Sequence, residues 1–164
     1  MILALESSCD ETAAAVLSPP SKLLSNIVSS QAKEHEPYGG VVPELASRNH
    51  LVLLKPTVEN ALNKAGISFG EIDAFAATAG PGLSSSLLIG NTAAKSFALS
   101  NQKPFIAINH MEGHLCSPFL ETPIQPHISM IVSGGHTLLI KVNKFDDYEI
   151  LSLIHISEPT RPLR

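Results

Sequence analysis

The segment His110-Met111-Glu112-Gly113-His114 carries two imidazoles at i and i+4. On a helix those positions share one face about one turn apart, the spacing by which paired histidines chelate a metal ion. The same pair also occurs as plain surface or capping residues, so spacing alone leaves both readings open. A zinc protease needs Glu directly after the first ligand, where it can reach metal-bound water. Met111 stands there instead, and Glu112 lies about 200° around the helix from His110. Protease chemistry is therefore disfavoured.

Ser133-Gly134-Gly135-His136-Thr137 follows a buried apolar run. Glycines there let backbone N–H groups close on an anion as a phosphate-binding nest, or simply serve the geometry of a type I′ hairpin. Ser7-Ser8-Cys9-Asp10-Glu11 offers hydroxyls and two carboxylates without glycine. Asp10 or Glu11 suits magnesium coordination or general-base work if the turn faces a nucleotide, and otherwise the segment is an ordinary polar turn. Gly80-Pro81-Gly82-Leu83-Ser84-Ser85-Ser86 opens a helix, as an anion site or as capping alone. The unusually composed loop His35–Glu44 is placed where function often resides, with nothing in it to say which. Cys9 has no histidine near it in sequence, and no nucleophilic role is assigned to it.

The elements that must hold these residues follow from periodicity. Ile2–Leu5, Thr12–Leu17 and Leu23–Ser30 read as strands. A helix is expected from Pro43, with Leu45, Leu51, Leu54, Val58, Ala61, Leu62 and Ala65 spaced helically and Gly66 closing it. Pro56 is expected to kink or divide that helix. Asp73–Ala79 is the next strand, Ser84–Leu99 the next helix, then the strand Phe105–Asn109 and a short helix from His110 to about Leu120. This is an α/β layered domain whose first sheet is partly antiparallel. After Pro118, Pro123 and Pro126, the strands His127–Val132, Thr137–Val142 and Tyr148–Leu151 repeat the opening strand–turn–strand–turn–strand unit. The expected organisation is a first lobe over 1–122, the opening strands of a second over 127–151, and a tail over 152–164. Two lobes, each offering a small polar turn, are how the actin-like ATPase (RNase H-like) fold grips phosphates, an analogy of fold only.

The tail holds two of the chain's three arginines and two prolines, and shows no helical pattern where the first lobe has its long helix. It is read as foreign or disordered rather than as an ordinary terminus. The 164 residues include 44% apolar and 16% charged residues, which excludes intrinsic disorder. No apolar run reaches the roughly 20 residues of a membrane span, and no secretory signal leads the chain. Two cysteines make no disulfide framework, and a reducing cytosol is expected. A net charge of −4 excludes a broadly basic nucleic-acid coat.

Five ordered segments resemble a known family: Glu6–Thr12, Tyr38–Arg48, Thr78–Leu83, His110–His114 and Val132–Thr137. Together they are similar to the tRNA N6-adenosine threonylcarbamoyltransferases, in the bacterial and organellar form. The resemblance covers residues 1 to about 151. It implies an actin-like fold with a complete first lobe and a truncated second one. It implies transfer of threonylcarbamoyl from threonylcarbamoyl-AMP to N6 of the adenosine 3′ of the anticodon, in tRNAs reading codons that begin with A. His110 and His114 would be two ligands of one divalent metal ion, iron ahead of zinc. Ile131, Val132, Ser133, Gly134 and Gly135 would line the substrate, and Glu11 would be a catalytic carboxylate. The implied partners are tRNA, an inert paralogue and a small ATPase, in the cytoplasm, with no membrane.

After Leu151 the sequence departs from the family pattern, and family members run roughly twice this length. The part without a counterpart here holds an aspartate metal ligand and most of the second lobe. The chain is therefore expected to be inactive alone. The alternative is a non-catalytic actin-like binding partner, against which the retained His110 and His114 argue.

Overall fold

The computed structural model describes residues 1–119, 122–132 and 137–154. The chain forms two compact units, divided between Gly113 and His114.

The first unit is built on a five-stranded sheet of order β3-β2-β1-β4-β5. Its strands are β1 (Ile2–Glu6), β2 (Glu11–Ser18), β3 (Lys22–Ser30), β4 (Ala74–Gly80) and β5 (Phe105–Asn109). The first three form an antiparallel meander, and β4 and β5 run parallel to β1. The polar turns after β1 and β2 return the chain at once, whereas the parallel pairs need helical crossovers. Those are α2 (Pro43–Ala65) and α3 (Ser84–Ser100), preceded by the short α1 (Ala32–His35) and a 3-10 turn at Glu36–Tyr38.

Leu3 and Leu5 of β1, Ala14 and Val16 of β2 and Phe75 and Ala77 of β4 form the core with Val58, Ala61 and Leu62 of α2 and Ala94 and Ala98 of α3. Period-two alternation sends Ile2, Ala4 and Glu6 to the other face of the sheet. Phe69, Phe75 and Phe97 close one end, with ring centroids 5.2–5.8 Å apart.

Several expectations stand as written. Pro43 takes the first helical position, Gly66 closes α2 in the left-handed conformation at φ 71°, and β5 spans Phe105–Asn109. Others need correction. Pro56 neither ends nor divides α2, which runs through it for 23 residues. Pro56 lies on the exposed side, the Thr57 hydroxyl donates to the Leu53 carbonyl at 2.7 Å, and Val58, Ala61 and Leu62 anchor the following turns in the core. Leu51 is exposed rather than core, because the buried stripe of the first half of α2 is Ala46 and His50. The helix from His110 also ends earlier than expected: α4 is His110–Cys116, and Ser117–Phe119 is a 3-10 turn.

The second unit holds an antiparallel meander, β6 (His127–Val132), β7 (Thr137–Lys144) and β8 (Asp147–Ile154). It repeats the connectivity of β1-β2-β3, as the duplicated pattern implied. Ile140 and Val142 are its buried centre, packed with Leu115, Ile131, Leu138 and Tyr148. Strand β8 pairs with β7 as far as Ile154, so three residues of the expected tail take part in the sheet. The rest of that tail lies outside the described residues.

Candidate functional site

The turn between β1 and β2 is held from three sides. Ser7 is buried, and its hydroxyl donates to the Ser86 carbonyl at 2.8 Å and accepts from the Gly90 N–H at 3.0 Å, both in α3. The Ser8 carbonyl accepts from the Leu83 N–H at 2.8 Å, at the start of α3. A side chain at Gly82 would put its Cβ 2.7 Å from that carbonyl oxygen, so only glycine admits this approach. From α2, His50 Nε2 lies 3.0 Å from the Cys9 carbonyl. A carbonyl only accepts, so Nε2 carries the proton and Nδ1 accepts, from the Thr12 hydroxyl at 2.7 Å and Gln31 Nε2 at 3.3 Å. Burial holds the His50 pKa below its ordinary value, against the opposing pull of the Cys9 carbonyl and the Glu6 and Asp10 charges.

The end of the sheet brings a second group together. Asn109 ends β5, and its Oδ1 accepts from the N–H groups of Met111 at 2.9 Å and Glu112 at 3.3 Å, which caps α4. The cap places His110 at the first helical position, where Nδ1 lies 3.3 Å from Ser8 Oγ and 3.6 Å from Glu6 Oε2. Glu6 in turn accepts from the Ser8 N–H and the Thr78 hydroxyl. Sequence reasoning gave no role to Ser7, Gly90, His50 or Glu6. For His50 a signal existed: it stands four residues from Ala46 and seven from Thr57, on the face of α2 that turns inward.

The expected site residues fall unevenly on this frame. Glu11 is the exposed first residue of β2, in register with Ser30. Asp10 borders a small pocket with His35 and Gly40, and its carbonyl accepts from the Gln31 N–H at 3.1 Å. Cys9 has its thiol pushed up to about 11, first by burial and then by Asp10, which suits the absence of a nucleophilic role. In the second unit Ile131 packs into the core and Val132 is exposed. Ser133, Gly134 and Gly135 lie outside the described residues, as does His136.

His110 and His114 both stand in α4, four positions apart. Two imidazoles are donors of the type iron and zinc take, one short of the three protein ligands a catalytic zinc site has. Among the described residues no cluster of three His, Cys, Asp or Glu could hold a metal ion. The donor set thus fits part of a shell, with His110 already braced through Nδ1 in the manner of an oriented ligand. No helix among the described residues is long and apolar enough to cross a membrane.

Comparison with known proteins bears on this arrangement. The family model for tRNA N6-adenosine threonylcarbamoyltransferase matches residues 22–157. A curated protein of that name from Treponema denticola is 56% identical over 151 residues, 92% of this chain and 45% of that one. Another from Pelobacter propionicus is 51% identical over 152 residues, again 92% and 45%. This chain spans less than half the length of these relatives. Among solved structures, YeaZ from Pseudomonas aeruginosa superposes with a TM-score of 0.62 at 17% identity, covering 99% of this chain and 70% of that one. Component A of (R)-2-hydroxyglutaryl-CoA dehydratase from Acidaminococcus fermentans gives 0.52 at 10% identity, covering 91% and 46%. These two likenesses concern the fold alone, which is the actin-like α/β fold with its second lobe represented by the opening strands. The matches in sequence go further: this chain belongs to the tRNA N6-adenosine threonylcarbamoyltransferase family.

Proposed function

We propose that the chain forms the first-lobe side of a site that transfers threonylcarbamoyl from threonylcarbamoyl-AMP to N6 of the adenosine 3′ of the anticodon, in tRNAs reading A-starting codons. In that reaction N6 attacks the carbamoyl carbonyl and a C–N bond forms. The C–O bond to the phosphate breaks, AMP leaves with the electron pair, and one N6 proton passes to a base. Glu11, beside the braced turn at the start of β2, is the proposed base. His110 and His114 are the proposed ligands of one divalent ion, Fe2+ ahead of Zn2+, with an aspartate from outside this chain as a third. When bound, such an ion polarises the donor carbonyl as a Lewis acid. Ile131, Val132, Ser133, Gly134 and Gly135 are proposed to line the donor.

The observation that carries the reading is the place of Ser8. Its carbonyl is bonded to the start of α3, and its hydroxyl stands against His110. One turn thereby ties the face that would meet the donor to the imidazole proposed as a metal ligand, the kind of preorganisation acyl transfer requires. The proposed partners are tRNA, an inert paralogue and a small ATPase, with a cytoplasmic location. Against a purely non-catalytic partner stand the retained His110 and His114, and against a protease stands Met111 after His110.

The test uses the 164-residue chain and a chimera joining its residues 1–151 to the remaining C-terminal part of the Treponema denticola relative. Each is given synthetic donor, unmodified tRNA and the partner subunits. No transfer is expected from the chain alone. Transfer is expected from the chimera and lost in its His110→Ala variant. Transfer by the chain alone would overturn its inactivity. A folded chimera without activity, beside an active parent, would overturn the transferase reading.

A further inference from the structure

We propose that Glu6 is a positioning residue that sets the tautomer and orientation of His110, as the outer member of a carboxylate–imidazole pair. Three neighbouring strands converge to make it. Glu6 ends β1, Thr78 lies near the end of the adjacent parallel β4, and His110 follows β5, the next strand across. One carboxylate oxygen of Glu6 accepts from the Ser8 N–H. The other accepts from the Thr78 hydroxyl and lies 3.6 Å from His110 Nδ1. The carboxylate is thus held by two donors from two segments before it meets the ring. Glu6 and His110 side chains are 34% and 28% exposed, so water only partly screens the pair.

A carboxylate facing Nδ1 favours the tautomer with the proton on that nitrogen, and coordination then goes through Nε2. It also makes the ring a stronger ligand, as outer carboxylates do for metal-bound imidazoles. A simpler role would be that of a turn brace serving Ser8 and Thr78 alone. Ser8 Oγ, at 3.3 Å, is a second partner of the same nitrogen. A hydroxyl can donate or accept, so it fits either tautomer. A carboxylate can only accept, so of these two Glu6 is the one that discriminates between them.

The metal half of this inference rests on the proposed metal role of His110, and the tautomer half does not. The experiment uses the 164-residue chain and its Glu6→Gln, Ser8→Ala and His110→Ala variants. Ring 15N shifts of His110 are read at pH 8 without metal, and cobalt(II) affinity is read from its absorption spectrum. The wild-type ring is expected to be protonated mainly at Nδ1, to remain so in Ser8→Ala, and to shift toward the Nε2–H form in Glu6→Gln. Cobalt affinity is expected to fall about 10- to 100-fold in Glu6→Gln, with an unchanged unfolding midpoint. An unchanged tautomer in Glu6→Gln, or a shift seen only in Ser8→Ala, would overturn the proposal. If wild type shows no His110-dependent cobalt spectrum while Glu6→Gln still shifts the tautomer, the metal role fails and the positioning role of Glu6 stands.

Discussion

Ser7 and Gly90 meet inside α3, where the Ser7 hydroxyl stands between the Gly90 N–H and the Ser86 carbonyl of one helical turn. The donor and the acceptor of one i, i+4 pair of α3 thus both bond the hydroxyl of Ser7, a residue 83 positions before Gly90. The turn that carries the candidate chemistry is therefore built into the helix rather than laid against it.

This coupling predicts the cost of a side chain at Gly90. Its Cβ would lie 2.6 Å from Ser7 Oγ, so the hydroxyl must turn away and abandon both bonds. Alanine gains about 1 kcal/mol of helix propensity, but two lost buried hydrogen bonds outweigh it. Gly90→Ala is expected to lose about 1–2 kcal/mol in urea unfolding. In Ser7→Ala the hydroxyl that a Gly90 side chain would meet is gone and only Cβ remains, at 3.4 Å, so adding Gly90→Ala to it should cost nothing further. Additive losses would show that the two residues are not coupled.

Gly82 predicts a different failure, because the obstacle is backbone. A Cβ there meets the Ser8 carbonyl oxygen at 2.7 Å and Ser8 Cβ at 2.8 Å, and neither can rotate aside. Gly82→Ala is expected to destabilise by about 1–3 kcal/mol and to break the Leu83 N–H bond to Ser8. Amide exchange at Leu83 should rise more than at Ala94 in the core of the same helix. Equal protection of both would show that the turn accommodates the methyl group.

His50 predicts a pH dependence. Its folded pKa lies below the 6.5 of the free side chain, because burial disfavours the charged ring. Below that value the unfolded chain takes up a proton that the folded chain refuses, so stability falls with pH. The loss begins as pH drops through about 6.5 and stops growing once the lower folded value is passed. Wild type is expected to lose stability relative to His50→Gln as pH falls below about 6.5. Parallel curves for the two proteins would assign the dependence to groups other than His50.

Cys9 predicts slow alkylation despite its exposed position. With the thiol at about 11 instead of 9.0, the thiolate is about a hundredfold scarcer at pH 8. Its greater intrinsic nucleophilicity recovers part of that, leaving modification about tenfold slower than in the unfolded chain. Asp10→Asn removes one cause and should speed it. A Cys9 rate equal to that of the unfolded chain, followed by mass spectrometry of its peptide, would contradict the shift.

Much of this was readable along the chain. Pro43 and Gly66 bound α2 because a missing N–H suits a first turn and a positive φ suits glycine, both properties of single residues. The order of strands, the repeated meander and the two histidines of α4 follow from local periodicity and spacing. Pro56 misled because its local cost is outweighed by the packing of Val58, Ala61 and Leu62, which no window around it contains.

The chemistry-bearing residue types and their family were thus settled by local order, in which each residue speaks mainly of its neighbours. Which of them act together was settled in space, because hydrogen bonds require approach within about 3 Å and the sheet with its crossover helices supplies it. Order β3-β2-β1-β4-β5 sets the ends of β1, β4 and β5 side by side. That adjacency brings Glu6, Thr78 and His110 to one place, and the crossover of α3 brings Gly90 to Ser7.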